Sequence, residues 1–183
     1  MKLVWRSRLH RDLAAAVFAA LLAVLSQIAL PMPWGIPITL QTFAVALCGY
    51  VLGPALGPVA VGVYLALGAV GLPVFSGFAG GAASLLNVTG GFLWGFLPMA
   101  LLCGLGSRRG KLPALLLGLC GLVVCHGWGV VQFALVQSLP LWTAFLTASA
   151  PYLAKDLVSL AAAYAAARAV VKALGKAKLG ETL

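Results

Sequence analysis

The sequence predicts an all-α polytopic integral membrane protein, with six transmembrane helices and a long extracytoplasmic loop between the third and the fourth. Three observations predict it. First, 63% of the 183 residues are hydrophobic and only 8% are charged, against roughly 25% charged in an ordinary soluble domain. That leaves too few polar groups to cover a surface facing water. Second, all but one of the twelve basic residues fall into three clusters: Lys2, Arg6, Arg8 and Arg11 at the start, Arg108, Arg109 and Lys111 in the middle, and Arg168, Lys172, Lys176 and Lys178 at the end. This is the bias of cytoplasmic loops. Third, a crossing takes about 20 mostly apolar residues, so the chain holds about six with short connections. Nothing is left for a soluble catalytic or nucleotide-binding domain, which needs at least ~50 residues. The whole chain, 1–183, reads as a single membrane domain with short basic cytoplasmic tails.

Helix 1 is expected over 12–30, treated as a retained membrane helix rather than a cleaved leader. Small residues recur on it at four-residue spacing, as Ala15/Ala19/Ala23 and Ala16/Ala20, which lets another helix approach closely. Pro31 and Pro33 end it, and Trp34 suits an interface anchor. Helix 2 is expected over 38–52 and helix 3 over 59–70, separated by the turn residues Gly53, Pro54, Gly57 and Pro58. Both are short for straight crossings. The uncharged but apolar segment 71–91 is read as the long loop, folded over something, because irregular backbone at membrane depth must be buried in protein or line a cavity. Helix 4 is expected over 92–105 and helix 5 over 112–137, joined by a basic turn. A short outer loop, 138–150, leads to helix 6 over 151–171. Even numbers of crossings between the basic clusters put both termini in the cytoplasm.

Between Lys111 and Arg168 the only charged residues are the neighbours Lys155 and Asp156. An ionisable residue at membrane depth costs about 2.5–3.5 kcal/mol on insertion scales, so such residues mark functional sites. One to two turns into helix 6, this pair suits a pocket open to the outside. Ordinary alternatives exist: Asp156 as a first-turn acid on the helix dipole, and Lys155 reaching for the outer interface.

Several chemistries are set aside. The net charge of +9 raises nucleic acid as a partner, but its clustering at loop positions points to the lipid bilayer instead. The run Gly106–Lys111 is not a phosphate loop, since Leu105 and Leu112 occupy positions that require Gly and Ser or Thr. His126 beside Cys125 lacks further ligands for a metal, and Cys48, Cys103, Cys120 and Cys125 lack zinc spacing. With no nucleophile–base pair, the chain is not expected to be an enzyme or to carry a cofactor.

Four motifs converge on one family. Pro37-Ile38-Thr39-Leu40-Gln41-Thr42-Phe43 opens helix 2. Gly71-Leu72-Pro73-Val74-Phe75 leads into the long loop. Thr89-Gly90-Gly91-Phe92-Leu93-Trp94-Gly95 opens helix 4, and Pro151-Tyr152-Leu153-Ala154-Lys155-Asp156 opens helix 6. Over about residues 12–170 the chain resembles BioY, the biotin-specific S component of energy-coupling-factor (ECF) transporters. The resemblance implies capture of biotin from outside, with a transmembrane coupling subunit and two ATPases as partner chains. It differs from many relatives in placing lysine before the aspartate, with Ser159 at the later position.

The resemblance also implies site roles. Biotin offers two ureido N–H donors, a carbonyl, an apolar bicycle and a carboxylate tail. Asp156 would accept from the N–H donors, while Lys155 would meet the tail carboxylate or neutralise Asp156. Asn87, Thr89, Gln41 and Thr39 would complete the polar set. Phe92, Trp94, His126, Trp128 and Tyr152 would pack the bicycle, with the segments around Phe75 and Asn87 as a lid. Ala15, Ala19 and Ala23 would touch the coupling subunit, or else simply pack within the bundle. Two readings compete: a subunit for another vitamin or a stand-alone carrier, and a ligand-free structural subunit.

Overall fold

The computed structural model describes residues 3–5, 7–30, 32, 36–176 and 180–182. Trp34, expected as an interface anchor, lies outside the described residues, as do Lys2, Arg6 and Lys178 of the basic clusters. The chain is mostly helical. Among the described residues, five helical stretches are long and apolar enough to cross a membrane: Arg8–Ser26, Gln41–Ala69, Gly90–Ser107, Lys111–Gln137 and Leu141–Gly175.

Helix α1 (Arg8–Ser26) starts earlier than expected because Ser7 caps it, its hydroxyl accepting from the His10 backbone N–H. Its buried face is Ala15, Ala19, Leu22 and Ser26, a stripe of helical period that packs on the next helix. It also stops earlier than expected. Strand β2 (Ala29–Leu30), which pairs antiparallel with β3 (Ile38–Thr39), takes the residues expected to end the helix.

Helix α2 (Gln41–Ala69) is two legs folded onto each other at Gly53. There φ is +80° and ψ −176°, a region essentially open to glycine alone. Gln41 Nε2 donates to Tyr64 Oη at 2.9 Å, whereas a straight helix would hold residues 41 and 64 about 35 Å apart. The legs touch backbone to backbone: a Cβ on Gly57 would sit 2.9 Å from Gly49 Cα. The second leg was expected from residue 59. It begins at 54, where Pro54 takes the first helical position and its missing N–H breaks no helical bond, while Pro58 lies one turn further in.

The loop after α2 contains a 3-10 turn, Ser76–Phe78, and a single helical turn, α3 (Ala83–Leu86). Helix α4 (Gly90–Ser107) lies between α2 and α5 (Lys111–Gln137). Its glycines allow this: a Cβ at Gly104 would meet the Gly53–Pro54 backbone, and one at Gly95 would meet Cys125. Where an irregular outer loop was expected over 138–150, the chain forms α6 (Leu141–Ala148), started by Pro140 and seated through buried Ala144 and Ala148. The 3-10 turn Ala150–Tyr152 leads into α7 (Leu153–Lys176). That helix passes the expected end at 171 because neither glycine nor proline interrupts 153–174.

The Arg108 guanidinium lies against Gly53, so the α2 bend and the α4–α5 turn share one end of the bundle. Strands β1 (Leu3–Trp5) and β4 (Gly180–Thr182) pair antiparallel and bring the two ends of the chain together. Between the bundle ends, Leu22, Tyr50, Tyr64 and Met99 are fully buried. Tyr50 Oη donates to Ala114 O at 3.1 Å and tethers α2 to α5. The start of the first α2 leg, the end of the second, the long loop and the start of α7 meet at the opposite end.

Candidate functional site

A cavity of about 310 Å³ opens at that end, within the ~300–1,000 Å³ of ordinary ligand pockets. Phe92, Leu93 and Phe96 of α4 form an apolar wall. Cys125 and His126 of α5, Gln41 and Thr42 of α2, and Tyr152, Lys155 and Asp156 around the α7 start form the polar side. Phe75, Ser76, Ser84, Asn87 and Thr89 of the long loop lie over it.

Asp156 is 4% exposed and is the hub. His126 Nε2 lies 3.1 Å from its Oδ2, and its Oδ1 is ion-paired with the Lys155 ammonium. The Thr42 side chain is a further hydrogen-bond partner of this carboxylate. Lys155 also donates to Thr39 O at 3.0 Å, and Tyr152 Oη donates to Ile36 O. The segment 36–39 is thereby stapled to α7. Lys155 has three N–H donors, of which these two contacts leave one for a ligand.

His126 is bonded at both ring nitrogens. Nδ1 lies 2.7 Å from Ser149 Oγ, and the ring meets Phe92 edge-on at 5.7 Å between centroids. A carboxylate only accepts, so Nε2 carries the proton shared with Asp156, and a neutral ring then accepts the Ser149 hydroxyl proton at Nδ1. The order Ser149–His126–Asp156 is superficially that of a hydrolase, but Ser149 is 0% exposed and does not line the cavity. It is therefore not a nucleophile.

The loop over the cavity is tied at both ends. From α1, Ser26 Oγ donates to Val74 O, Gln27 Nε2 donates to Val74 O and Phe75 O, and Gln27 Oε1 accepts from Phe78 N. From the other side, Gln132 Nε2 donates to Leu85 O at 3.0 Å and Asn87 O at 2.7 Å, and Trp94 Nε1 donates to Leu85 O at 3.2 Å. Phe75, 3% exposed, packs edge-on against Tyr64 with centroids 5.3 Å apart.

The structure thus brings together nine residues named from sequence: Asp156, Lys155, Asn87, Thr89, Gln41, Thr39, Tyr152, Phe92 and His126. It does not bring in Trp94 or Trp128, which are 40% and 58% exposed. Each lies two residues beyond an inward-facing one, Phe92 and His126, and two helical residues turn the side chain about 200° away. The alanine assignment also changes. Ala15 and Ala19 are buried against α2 and Ala23 is half-buried, so this stripe serves the bundle, while Ala16 and Ala20 remain exposed. Of the four cysteines, Cys48, Cys103 and Cys125 are buried and Cys120 is exposed. Ser26, Gln27 and Ser149 escaped the sequence reading. Gln27 carried a signal, an amide at the end of an apolar helix, whereas Ser149 is an unmarked serine in an expected loop.

A sequence model of the BioY family matches residues 3–176. The chain belongs to the BioY family. It is 40% identical to a probable biotin transporter BioY of Pyrococcus horikoshii, over 81% of this chain and 88% of the relative. It is 36% identical to the biotin transporter BioY of Rhodobacter capsulatus, over 85% and 90%. Among solved structures it resembles the S-component for biotin from an ECF-type ABC transporter, with a TM-score of 0.82 and 26% identity over 90% of this chain and 92% of that one. The BioY family consists of transporter components, not enzymes, and the chain is a multi-pass membrane protein.

Proposed function

We propose that this chain is the biotin-capturing subunit of an ECF-type transporter of the cell membrane, energised by ATPases on separate chains. The observation that carries the proposal is the buried Asp156, held by His126 and Lys155 at the wall of a closed-over cavity in a chain of the BioY family. Membership of the family, likeness to the biotin S-component and the chemistry of the cavity all point to the same ligand. Asp156 accepts from the ureido N–H donors, a charge-assisted bond, and Lys155, in contact with it, neutralises its charge. Thr39, Gln41, Asn87 and Thr89 supply polar partners, and Phe92 and Tyr152 pack the bicycle.

The two legs of α2 count as two crossings, giving six in all. Arg108, Arg109, Lys111 and both termini face the cytoplasm, and the 71–89 loop faces outside. A coupling subunit and two ATPases complete the transporter. The exposed Ala16–Ala20 stretch of α1 gives the coupling subunit a face of small residues for close helix contact. Equilibrium binding of labelled biotin to the purified protein, competed with unlabelled biotin and with other vitamins, tests the proposal. Saturable binding competed only by biotin is expected. Competition by a different vitamin, or no saturable binding by folded protein, would overturn it.

A further inference from the structure

The proposed function uses Asp156 but leaves unexplained why a fully buried serine outside the cavity is bonded to the histidine beside it. We infer that Ser149 and His126 are positioning residues that fix the Asp156 carboxylate for the ligand's N–H donors; this rests on the proposed biotin site. A carboxylate on a short side chain turns about its last bond with little resistance. At position 156 each oxygen has its own partner, from a different direction: Oδ2 the His126 ring, Oδ1 the Lys155 ammonium. Those two contacts, with the Thr42 side chain as a third partner, set the carboxylate plane.

The His126 ring needs the same restraint, because a donor that tilts no longer aims its proton. It receives three. Phe92 stands edge-on to one face, Asp156 takes Nε2, and Ser149 takes Nδ1 at 2.7 Å. Ser149 is itself immobile. Its backbone N–H donates to Phe145 O at 3.0 Å, its carbonyl accepts from Tyr152 N at 3.0 Å, and its side chain is 0% exposed. Helix α6 ends at this residue, which gives α6 a purpose: it delivers a hydroxyl to the back of the ring. Other groups that line the cavity with the ring are Lys155 on α7, Cys125 on its own helix, and uncharged Gln41 and Thr42 on α2, the latter bonded to Asp156. Asp156 is thus the acceptor that the ring addresses.

The test is equilibrium binding of labelled biotin to full-length protein in detergent, with thermal unfolding run on each variant. Ser149→Ala removes the hydroxyl and is expected to weaken binding roughly 5- to 50-fold. His126→Gln can place an amide N–H near the position of Nε2 and so keep the donor to Asp156, whereas His126→Asn is too short to do so. The Gln variant should retain clearly more affinity than the Asn variant. In the His126→Gln background, Ser149→Ala should change affinity by less than about 2-fold, since the link is already gone. A purely structural serine would cost the same in both backgrounds, and that result overturns the relay, as does equal loss in the Gln and Asn variants. Should Ser149→Ala fail to fold, the Gln–Asn contrast decides alone. Absence of biotin binding by the wild-type protein brings down the proposed function and the relay with it. Binding by wild type with an indifferent Ser149→Ala brings down the relay only.

Discussion

Replacing Asp156 with asparagine changes one oxygen for an NH2 group and almost nothing in volume, so its effect isolates charge and acceptor chemistry. Two placements of the amide are possible. With NH2 toward His126, its protons oppose the Nε2 proton that now points at Oδ2 across 3.1 Å. With NH2 toward Lys155, they oppose an ammonium. The first clash is relieved only if the ring switches tautomer, with Nε2 accepting and Nδ1–H donating to Ser149 Oγ; in both placements the Lys155 ammonium loses its anion. Loss of a hydrogen bond to a charged group costs about 1.5–3 kcal/mol. Stranding a buried cation costs about 3–5 kcal/mol of folding stability, part of which water recovers because the Lys155 side chain is 24% exposed; that cost is borne with or without ligand. The ligand also loses a charged acceptor. That loss of about 1.5–3 kcal/mol in binding corresponds to a Kd raised roughly 10- to 150-fold. The assay is saturation binding of labelled biotin, with the variant's thermal unfolding in the same detergent showing that it is folded. A folded Asp156→Asn protein with unchanged affinity would refute both the hub role of Asp156 and the proposed ligand geometry.

Three further outcomes follow from other parts of the molecule. Gly53→Ala puts a Cβ on a residue at φ +80° and ψ −176° and should destabilise the protein by about 1–3 kcal/mol, seen as a lower unfolding temperature in detergent. Gln132→Ala removes two bonds holding the loop at Leu85 and Asn87 and should speed ligand release roughly 3- to 30-fold, with a smaller effect on association, as followed by chase with unlabelled biotin. Trp128→Ala, at an outward-facing residue 58% exposed, should leave the Kd within about 2-fold; a larger change would mean that α5 presents a different face to the cavity.

The sequence was most informative where one physical constraint acted alone. Isolated charge in an apolar run picked out Lys155 and Asp156, and both line the cavity. Glycine and proline at 53–58 marked a break in α2, although not that Gly53 alone makes it. Where two constraints competed, reading failed. Aromatic residues suit both a ligand pocket and a lipid-facing surface, and only the helical phase separates Phe92 from Trp94. Alanines at four-residue spacing suit both internal packing and an external partner, and the burial of Ala15 and Ala19 decided for the former. Ser149 was invisible because a lone serine acquires meaning only from what lies opposite it, here a ring 23 residues away in the chain.

The ties that hold the 71–89 loop have a common property. Each ends on a main-chain atom of the loop: the carbonyls of Val74, Phe75, Leu85 and Asn87, and the Phe78 N–H. Backbone carbonyls are present whatever the side chain, so much of the loop's path is encoded in α1, α4 and α5. Phe75 and Leu85 are anchored in the core, but Ser76, Ser84, Asn87 and Thr89, which line the cavity, are free to be exchanged. A scaffold of this kind can be retuned toward a different solute by rewriting a few positions above the cavity, with the fastenings left in place.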